Sequence, residues 1–249
     1  NAGANKQITL VSENGSIIQT AAGTGITGGT AISLTAAKGN ITLNGTNASN
    51  GAPLTFSTTG NLAFTDSSQF TKLASGTSVT GTTNLRNTYG VNGANVAKLS
   101  DVSGGILLGG AVMIDMTGAA GSGDISINGS GNSFGAVQFR ANNVTIAEDK
   151  TLNVAAGSLA TGTTTLSSLA DIVTTGAGSS YFSGGNANTT GLTLIAGGNI
   201  TITNPITVYN GVTFRALGAV DLSALSVAVN LNGKTPTNLG AASYKAPQP

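Results

Sequence analysis

The chain contains no cysteine, no histidine and no tryptophan among its 249 residues. Without cysteine it can form no disulfide, no thiolate metal site and no thiol nucleophile. Without histidine it lacks the commonest general base and the commonest metal ligand of proteins. These absences exclude many familiar catalytic arrangements, and a secreted protein of this composition would rely on repeated strand pairing in place of covalent cross-links.

Charged residues are also scarce, at 8% of the chain, where a typical soluble domain has roughly 25%. The net charge is +1, so the charge balance indicates neither nucleic acid nor an anionic membrane surface as a partner. No apolar run approaches the roughly 18–20 residues that span a membrane. The chain begins inside its sequence pattern, without a signal peptide, as we expect of a mature segment or a piece of a longer protein.

What the chain has instead is a recurring phrase: Gly, then Asn or Asp, then two apolar residues that flank one small polar residue. Consecutive copies are nearly evenly spaced, because Asn40 is followed by Asn61, and Asp124 by Asn143, after a similar interval. A fixed period of about 20 residues is typical of solenoids. The clearest copies are Gly39-Asn40-Ile41-Thr42-Leu43, Gly60-Asn61-Leu62-Ala63-Phe64, Gly123-Asp124-Ile125-Ser126-Ile127 and Gly198-Asn199-Ile200-Thr201-Ile202.

Each phrase follows a second alternating stretch, such as Leu192-Thr193-Leu194 before Ile200. Alternation with period two predicts strands that have one buried and one exposed face. A hairpin would also join two strands through Gly and Asn, but a parallel coil explains the constant period better. The sequence therefore predicts one all-β parallel solenoid over residues 1–238, with about twelve coils of about 20 residues, and a linker or frayed tail over 239–249.

This register predicts the core and the corners of the coil. The Asn or Asp of each phrase is expected at a corner, where these residues tolerate left-handed backbone and their side chains can hydrogen-bond from coil to coil. Degenerate coils are expected to continue at Gly81 and then near Gly105, and at Gly162 and then near Ser180. The buried positions are predicted to include Ile41, Leu43, Leu62, Phe64, Ile125, Ile127, Val144, Ile146, Ile200, Ile202, Val220 and Leu222.

The strand–Gly-Asn–strand phrase, as in Leu192 to Ile202, resembles the β-helical repeats of filamentous-haemagglutinin-type adhesins, the large exoproteins of two-partner secretion. Autotransporter passengers look much the same. The resemblance covers Ile8 to about Leu231 and implies a right-handed parallel β-helix. It also implies export through an outer-membrane transporter to the bacterial cell surface, and adhesion to host or neighbouring cells or their glycans. The Asn-Pro-Asn-Gly/Leu type motif of the family's secretion domain is not found, so a stalk or passenger segment is expected.

The carboxylates do not form an evident catalytic or metal-binding pattern. Glu148 and Asp149 are adjacent on a predicted strand and should point to opposite faces, whereas Asp124 and Glu148 are about one coil apart and could approach. A glycosidase needs two carboxylates some 5–10 Å apart, but solvated surface side chains explain the same residues. No catalytic residue, metal or cofactor is therefore predicted. The nine acids are Glu13, Asp66, Asp101, Asp115, Asp124, Glu148, Asp149, Asp171 and Asp221.

Two arginines are the candidate binding residues. Arg140 and Arg215 end strands of the same form, Val-x-Phe-Arg-Ala. If each Phe points inward, both arginines point outward, and we expect them on one face about four coils apart. Arginine can bind carboxylates bidentately, so this face could bind an acidic glycan.

The prediction from sequence is a secreted, non-enzymatic surface adhesin segment, with no nucleic-acid partner. Two alternatives belong to other classes. A β-helical polysaccharide lyase or glycosidase would require a cleft lined by carboxylates and basic residues. An ice- or surface-binding module would require an unbroken outward array of threonine, whereas Ala63 and Asp221 interrupt the expected column of Thr42, Ser126, Thr145 and Thr201.

Overall fold

The structure, a computed structural model, describes residues 6–20, 25–90, 96–118, 121–183, 191–222, 237–238 and 243–245. The described residues form strands and turns without any helix, and parallel strands stack in about nine turns of roughly 22 residues. The predicted parallel β-solenoid is thereby confirmed. The chain forms two compact units, Asn1–Gly135 and Ala136–Pro249, and the single repetitive domain expected over residues 1–238 stays a prediction.

Unit 1 (Asn1–Gly135) contains sixteen strands in its described part, most of them short. They are β1 Gln7–Ser12, β2 Ile17–Ile18, β3 Ala31–Ala36, β4 Ile41–Asn47, β5 Pro53–Thr58, β6 Leu62–Asp66, β7 Phe70–Leu73, β8 Ser78–Val79, β9 Thr83–Asn87, β10 Lys98–Asp101, β11 Leu107–Leu108, β12 Val112–Asp115, β13 Thr117–Gly118, β14 Gly121–Ser122, β15 Asp124–Ile127 and β16 Ser133–Phe134.

Unit 2 (Ala136–Pro249) contains fourteen strands in its described part. They are β17 Ala136–Ala141, β18 Val144–Glu148, β19 Leu152–Ala155, β20 Leu159–Ala160, β21 Thr164–Ser168, β22 Ile172–Thr175, β23 Ser180–Phe182, β24 Leu192–Ala196, β25 Ile200–Thr201, β26 Ile206–Val208, β27 Val212–Ala216, β28 Ala219–Asp221, β29 Thr237–Asn238 and β30 Ser243–Lys245.

Each unit has two parallel sheets. In unit 1 the first sheet runs β1-β3-β5 and continues along two tracks, β7-β10-β15 and β8-β11-β16, while the second runs β2-β4-β6-β9-β12. The pair β13-β14 is antiparallel. In unit 2 the first sheet runs β18-β21-β24-β27-β29, and the second runs β17-β19-β22-β25-β28-β30 with β17-β20-β23-β26 beside it.

Strand β30 bears on the predicted tail. Ser243–Lys245 pairs in parallel with Ala219–Asp221, so part of the segment 239–249 continues the second sheet of unit 2. Residues 239–242 and 246–249 lie outside the described residues.

The core follows the predicted register. All twelve residues predicted to be buried are buried, none of them more than 4% exposed. Parallel pairing stacks like on like, so that Leu34 of β3 lies beside Phe56 of β5. The Phe56 ring also meets Phe64 of the second sheet, at a centroid separation of 5.1 Å. Stacked apolar ladders of this kind bury side chains from both sheets in one interior.

Asparagines of the phrase connect successive coils, as predicted, but they do so through the backbone of the next coil, and Asp171 makes the same bond. In unit 1 the backbone N–H of Asn61 donates to Oδ1 of Asn40 at 2.8 Å, and that of Thr82 donates to Oδ1 of Asn61 at 2.8 Å. In unit 2 the same bond joins Asn199 to Asp171 and Ala219 to Asn199, at 2.6 and 2.8 Å. We call this repeated bond the corner clamp.

The glycine before each corner is explained by crowding rather than by backbone conformation. A Cβ on Gly60 would lie 2.4 Å from the carbonyl oxygen of Gly39 and 2.5 Å from Oδ1 of Asn40, where no side chain fits. Gly39 and Gly60 both have a negative φ or an extended backbone and not the left-handed conformation. Asn50 is the only non-glycine residue in the described part of the chain that has a positive φ. The prediction of left-handed corner asparagines was therefore wrong.

The coils are fewer and less even than predicted. The register places Thr83 opposite Leu62 of the preceding coil and opposite Val112 of the following one, so the second step along the chain is clearly longer than the first. The coil that follows Gly81 therefore begins at Gly110, whose N–H bonds to the carbonyl of Gly81 at 3.1 Å, and not near Gly105. Likewise Thr164 pairs with Leu192 and not with a residue near Ser180. Loops that lengthen single coils explain why about nine coils, and not twelve, fit the chain.

Candidate functional site

The strongest candidate site lies on the outer face of the second sheet of unit 1 and begins with a bulge in β4. The register runs from Leu43 opposite Phe64 to Asn47 opposite Asp66, so three residues of β4 face one residue of β6. The segment from Asn44 to Thr46 therefore has two residues more than β6 offers opposite it, and it forms a ridge on which Asn44 and Thr46 are exposed. Bulges bend a strand locally and often lie beside functional sites.

The bulge is held in place by the buried side chain of Asn47, which is 1% exposed. Its Nδ2 donates to the carbonyl oxygens of Leu43 at 2.9 Å and Thr65 at 3.1 Å. Outside, Oε1 of Gln19 accepts from the backbone N–H of Gly45 at 2.9 Å. A Cβ on Gly45 would lie 2.2 Å from Nε2 of Gln19, so a larger residue there would displace the Gln19 side chain from the bulge.

A groove of about 520 Å³ lies beside this ridge. Thr65 of β6 forms its floor, the bulge forms one wall, and the longer side chains of β9 form the other. The lining carries amides, hydroxyls and one guanidinium, and it includes no carboxylate and no aromatic ring. We call it the bulge groove; it is lined by Asn44, Gly45, Thr46, Thr65, Asn84, Arg86 and Thr88.

Arg86 is the charged group of the bulge groove. It is exposed, and its guanidinium makes no hydrogen bond or ion pair with any residue in the described ranges. Its neighbour in β6 is Thr65, and its neighbour in β12 is Asp115. Oδ1 of Asp115 accepts from the backbone N–H of Thr117 at 3.0 Å and also from the Thr117 hydroxyl. The groove therefore presents a guanidinium with free donors, whereas the carboxylate of the neighbouring Asp115 is already hydrogen-bonded to Thr117.

The predicted arginine face does not form. Arg140 and Arg215 are both exposed, as expected. However, Arg140 lies on β17, in the second sheet of unit 2, while Arg215 lies on β27, in the first sheet. Equal sequence patterns occur on both sheets of a coil, so the Val-x-Phe-Arg-Ala pattern does not define one column. The two arginines lie on different sheets and do not make one bipartite site.

The predicted threonine column is wrong for the same reason. In unit 1 Thr42 lies on β4 of the second sheet, whereas Ser126 lies on β15 of the first. In unit 2 Thr145 lies on β18 of the first sheet and Thr201 on β25 of the second. These hydroxyls therefore form no single flat array within either unit.

Two carboxylates are buried where solvated side chains were expected. Asp66 is 0% and Glu148 is 2% exposed. Asp66 accepts five hydrogen bonds: the backbone N–H and hydroxyl of Ser49, the backbone N–H and hydroxyl of Ser68, and the hydroxyl of Thr71. These hydrogen bonds replace the hydrogen bonds to water that the carboxylate loses when it is buried.

Other carboxylates also accept hydrogen bonds from backbone N–H groups. Both carboxylate oxygens of Asp101 accept from backbone N–H groups, those of Asn128 at 3.2 Å and Gly129 at 2.7 Å. Asp124 begins β15 in unit 1, and Glu148 ends β18 in unit 2. Within the described part of the chain, no three acidic residues come together in a way that could hold a metal ion.

An exposed aromatic pair on unit 2 was not anticipated. Tyr181 of β23 and Tyr209 lie with ring centroids 5.1 Å apart and ring planes 52° apart. Desolvation, followed by the hydrogen bond and charge of Tyr209, raises the pKa of Tyr181 above the ordinary tyrosine value. Because the rings are tilted, the pair offers an edge and a face rather than one flat platform.

No direct signal for the bulge groove was present in the sequence, because its residues come from three strands. A partial signal was available in Asn44-Gly45-Thr46-Asn47, where the alternation of β4 breaks at a glycine, as at many bulges. No family model matches the chain, and no curated protein or solved structure matches it significantly. The fold defines the class, a parallel β-solenoid. In the described residues no helix is long and apolar enough to span a membrane.

Proposed function

We propose that the chain is a segment of a secreted bacterial surface adhesin, in which the β-solenoid is a stiff stalk or passenger for attachment or cell–cell contact. The observation that carries this proposal is the corner clamp. It adds a side-chain bond between coils to the two parallel sheets and to a stacked apolar interior. Each unit is thus reinforced along the stacking direction, which suits a spacer that must hold its length.

The outer surface and the use of carboxylates support the same proposal. Outward positions are mostly hydroxyl- or amide-bearing, and charge is sparse, so specific contact would depend on a few sites rather than on a general electrostatic field. Asp66, Asp101 and Asp115 each accept hydrogen bonds that order the backbone. Roles of this kind account for these carboxylates without a reaction.

Attachment of coated beads tests the proposal directly. Beads that carry the purified protein should attach to cultured epithelial cells, or to bacteria that display the same chain, several-fold more often than albumin-coated beads. The protein should release neither reducing ends nor unsaturated products from a panel of polysaccharides. Attachment no better than that of albumin to either cell type, or turnover of any polysaccharide, would overturn the proposal.

A further inference from the structure

The bulge groove has the features of a binding site for a negatively charged sugar. We propose that it binds a carboxylated saccharide, with the carboxylate on Arg86 and the sugar hydroxyls on the amides and hydroxyls of the two walls. This inference gives the proposed adhesin a ligand class and a location, and it rests on that function only for its biological meaning.

The preference for an anion follows from Arg86. Its guanidinium is exposed and makes no hydrogen bond or ion pair with another described residue, so its donors are available to a ligand. A guanidinium matches a carboxylate with two parallel hydrogen bonds. None of the seven residues that line the groove is acidic, so no lining group competes for this cation.

The preference for a saccharide follows from the size and polarity of the groove. A volume of about 520 Å³ lies in the range of small-molecule sites. Those sites are mostly apolar, whereas Asn44, Asn84 and the hydroxyl groups make the lining of this one mostly polar. A ligand with many hydroxyls can use such walls. The lining offers no aromatic ring for a neutral sugar to stack on, so the charge must supply much of the affinity.

The wall formed by the bulge is held in place before any ligand arrives. Asn47 fixes the bulge from inside through Leu43 and Thr65, and Gln19 fixes it from outside through Gly45. A preformed wall reduces the entropy lost on binding. Asp115, in register with Arg86 on β12, is the one acidic neighbour to consider. Its Oδ1 already accepts hydrogen bonds from Thr117. The negative charge of Asp115 should lower the affinity of the groove for an anionic ligand without preventing binding.

Titration with trigalacturonate, followed by amide NMR of the whole chain, tests the site. We expect saturable shifts at the amides of Thr46, Thr65 and Thr88, and none of comparable size with the fully methyl-esterified trisaccharide, which keeps the hydroxyls but has no charge. Binding should weaken as salt is raised, because the ionic contact is at the surface.

Variants separate this site from general attraction to a cation. Arg86→Ala should weaken binding about tenfold or more, and Arg86→Lys by less, because a lysine keeps the charge but not the paired donors. Arg140→Ala, at an exposed arginine outside the bulge groove, should leave affinity unchanged. Asp115→Asn should tighten binding. If wild-type chain shows no shifts at millimolar ligand, if the ester binds as well as the acid, or if Arg140→Ala weakens binding as much as Arg86→Ala, the proposal is wrong.

The two proposals fail separately. Arg86→Ala beads that attach to cells as well as wild type, with trigalacturonate binding abolished, would leave the adhesive role intact and remove the bulge groove from it. If wild-type beads attach to cells no better than albumin-coated beads but the protein still binds trigalacturonate saturably, the adhesive role is overturned and the bulge groove remains a saccharide-binding site.

Discussion

Two polar corners of unit 1 connect coils in opposite ways. The corner clamp at Asn40, Asn61 and Thr82 is exposed, and each rung consists of a side-chain oxygen that accepts one backbone N–H. The second corner is buried and centres on Asp66, where a carboxylate gathers hydrogen bonds from Ser49, Ser68 and Thr71. One corner repeats a simple unit, and the other is a single connected network.

The difference lies in what happens when one member is lost. Water can replace a missing bond at an exposed rung, so the clamp should behave as a sum of small terms. In the buried corner, removal of the acceptor leaves several donors unpaired in a place that water does not reach. We therefore expect the network to fail as a whole and the clamp to weaken rung by rung.

The largest effect is expected for Asp66→Ala. The five donors that meet this carboxylate lose their common acceptor, and we expect unfolding in urea to show a loss of about 3–5 kcal/mol. Asp66→Asn keeps one acceptor oxygen and should cost less. Glu13→Ala is the matched control at an exposed carboxylate and should change stability by at most about 0.5 kcal/mol. Equal costs for Asp66→Ala and Glu13→Ala would remove the contrast between the corners.

A middle-sized effect is expected for Gly60→Ala, which tests crowding at the clamp. The added methyl would lie 2.4 Å from backbone of the earlier coil, so the coils must separate, at a cost of about 1–3 kcal/mol. The control is Gly15→Ala, where the nearest atom to a built Cβ is Oγ of Ser12 at 3.4 Å. Thermal melting of both variants checks this. If Gly60→Ala has the same melting temperature as Gly15→Ala, the coils can separate at Gly60 without a measurable loss of stability.

The smallest effect is expected for Asn61→Ala, which removes one rung. The backbone N–H of Thr82 loses its acceptor but stays accessible to water, and a loss of about 0.5–1.5 kcal/mol is expected. Asn61→Asp should be nearly neutral, since Asp171 fills the same role for Asn199. Asn84→Ala is the control at an exposed amide. Unfolding midpoints that fall equally for Asn61→Ala and Asn84→Ala would show that the rung contributes nothing measurable.

The sequence predicted the parts of this structure that depend on local pattern. Alternation identified the buried faces, so Ile41, Leu62 and Ile200 are all in the core, and the near-constant spacing identified a parallel solenoid. Alternation reports which way a side chain points relative to its own strand. It does not report which of the two sheets of a coil that strand joins.

The wrong predictions of an arginine face and a threonine column share that cause. Asn61 leads a strand of the second sheet of unit 1, and Asp124 leads a strand of the first, although their phrases are alike. Arg140 and Arg215 were separated in the same way. The bulge groove and the Asp66 network could not be predicted from the sequence pattern. Each is assembled from residues of several coils, and the stacking of those coils depends on unequal loop lengths.

The corner clamp also has a direction. In every clamp described, the oxygen belongs to the earlier coil and the N–H to the later one: Asn40 to Asn61 to Thr82 in unit 1, and Asp171 to Asn199 to Ala219 in unit 2. A finished coil therefore presents an unused acceptor only toward the coil that follows it along the chain. A polypeptide that emerges amino-terminus first from a ribosome or a narrow pore could add coils one at a time, each serving as the template that aligns its successor.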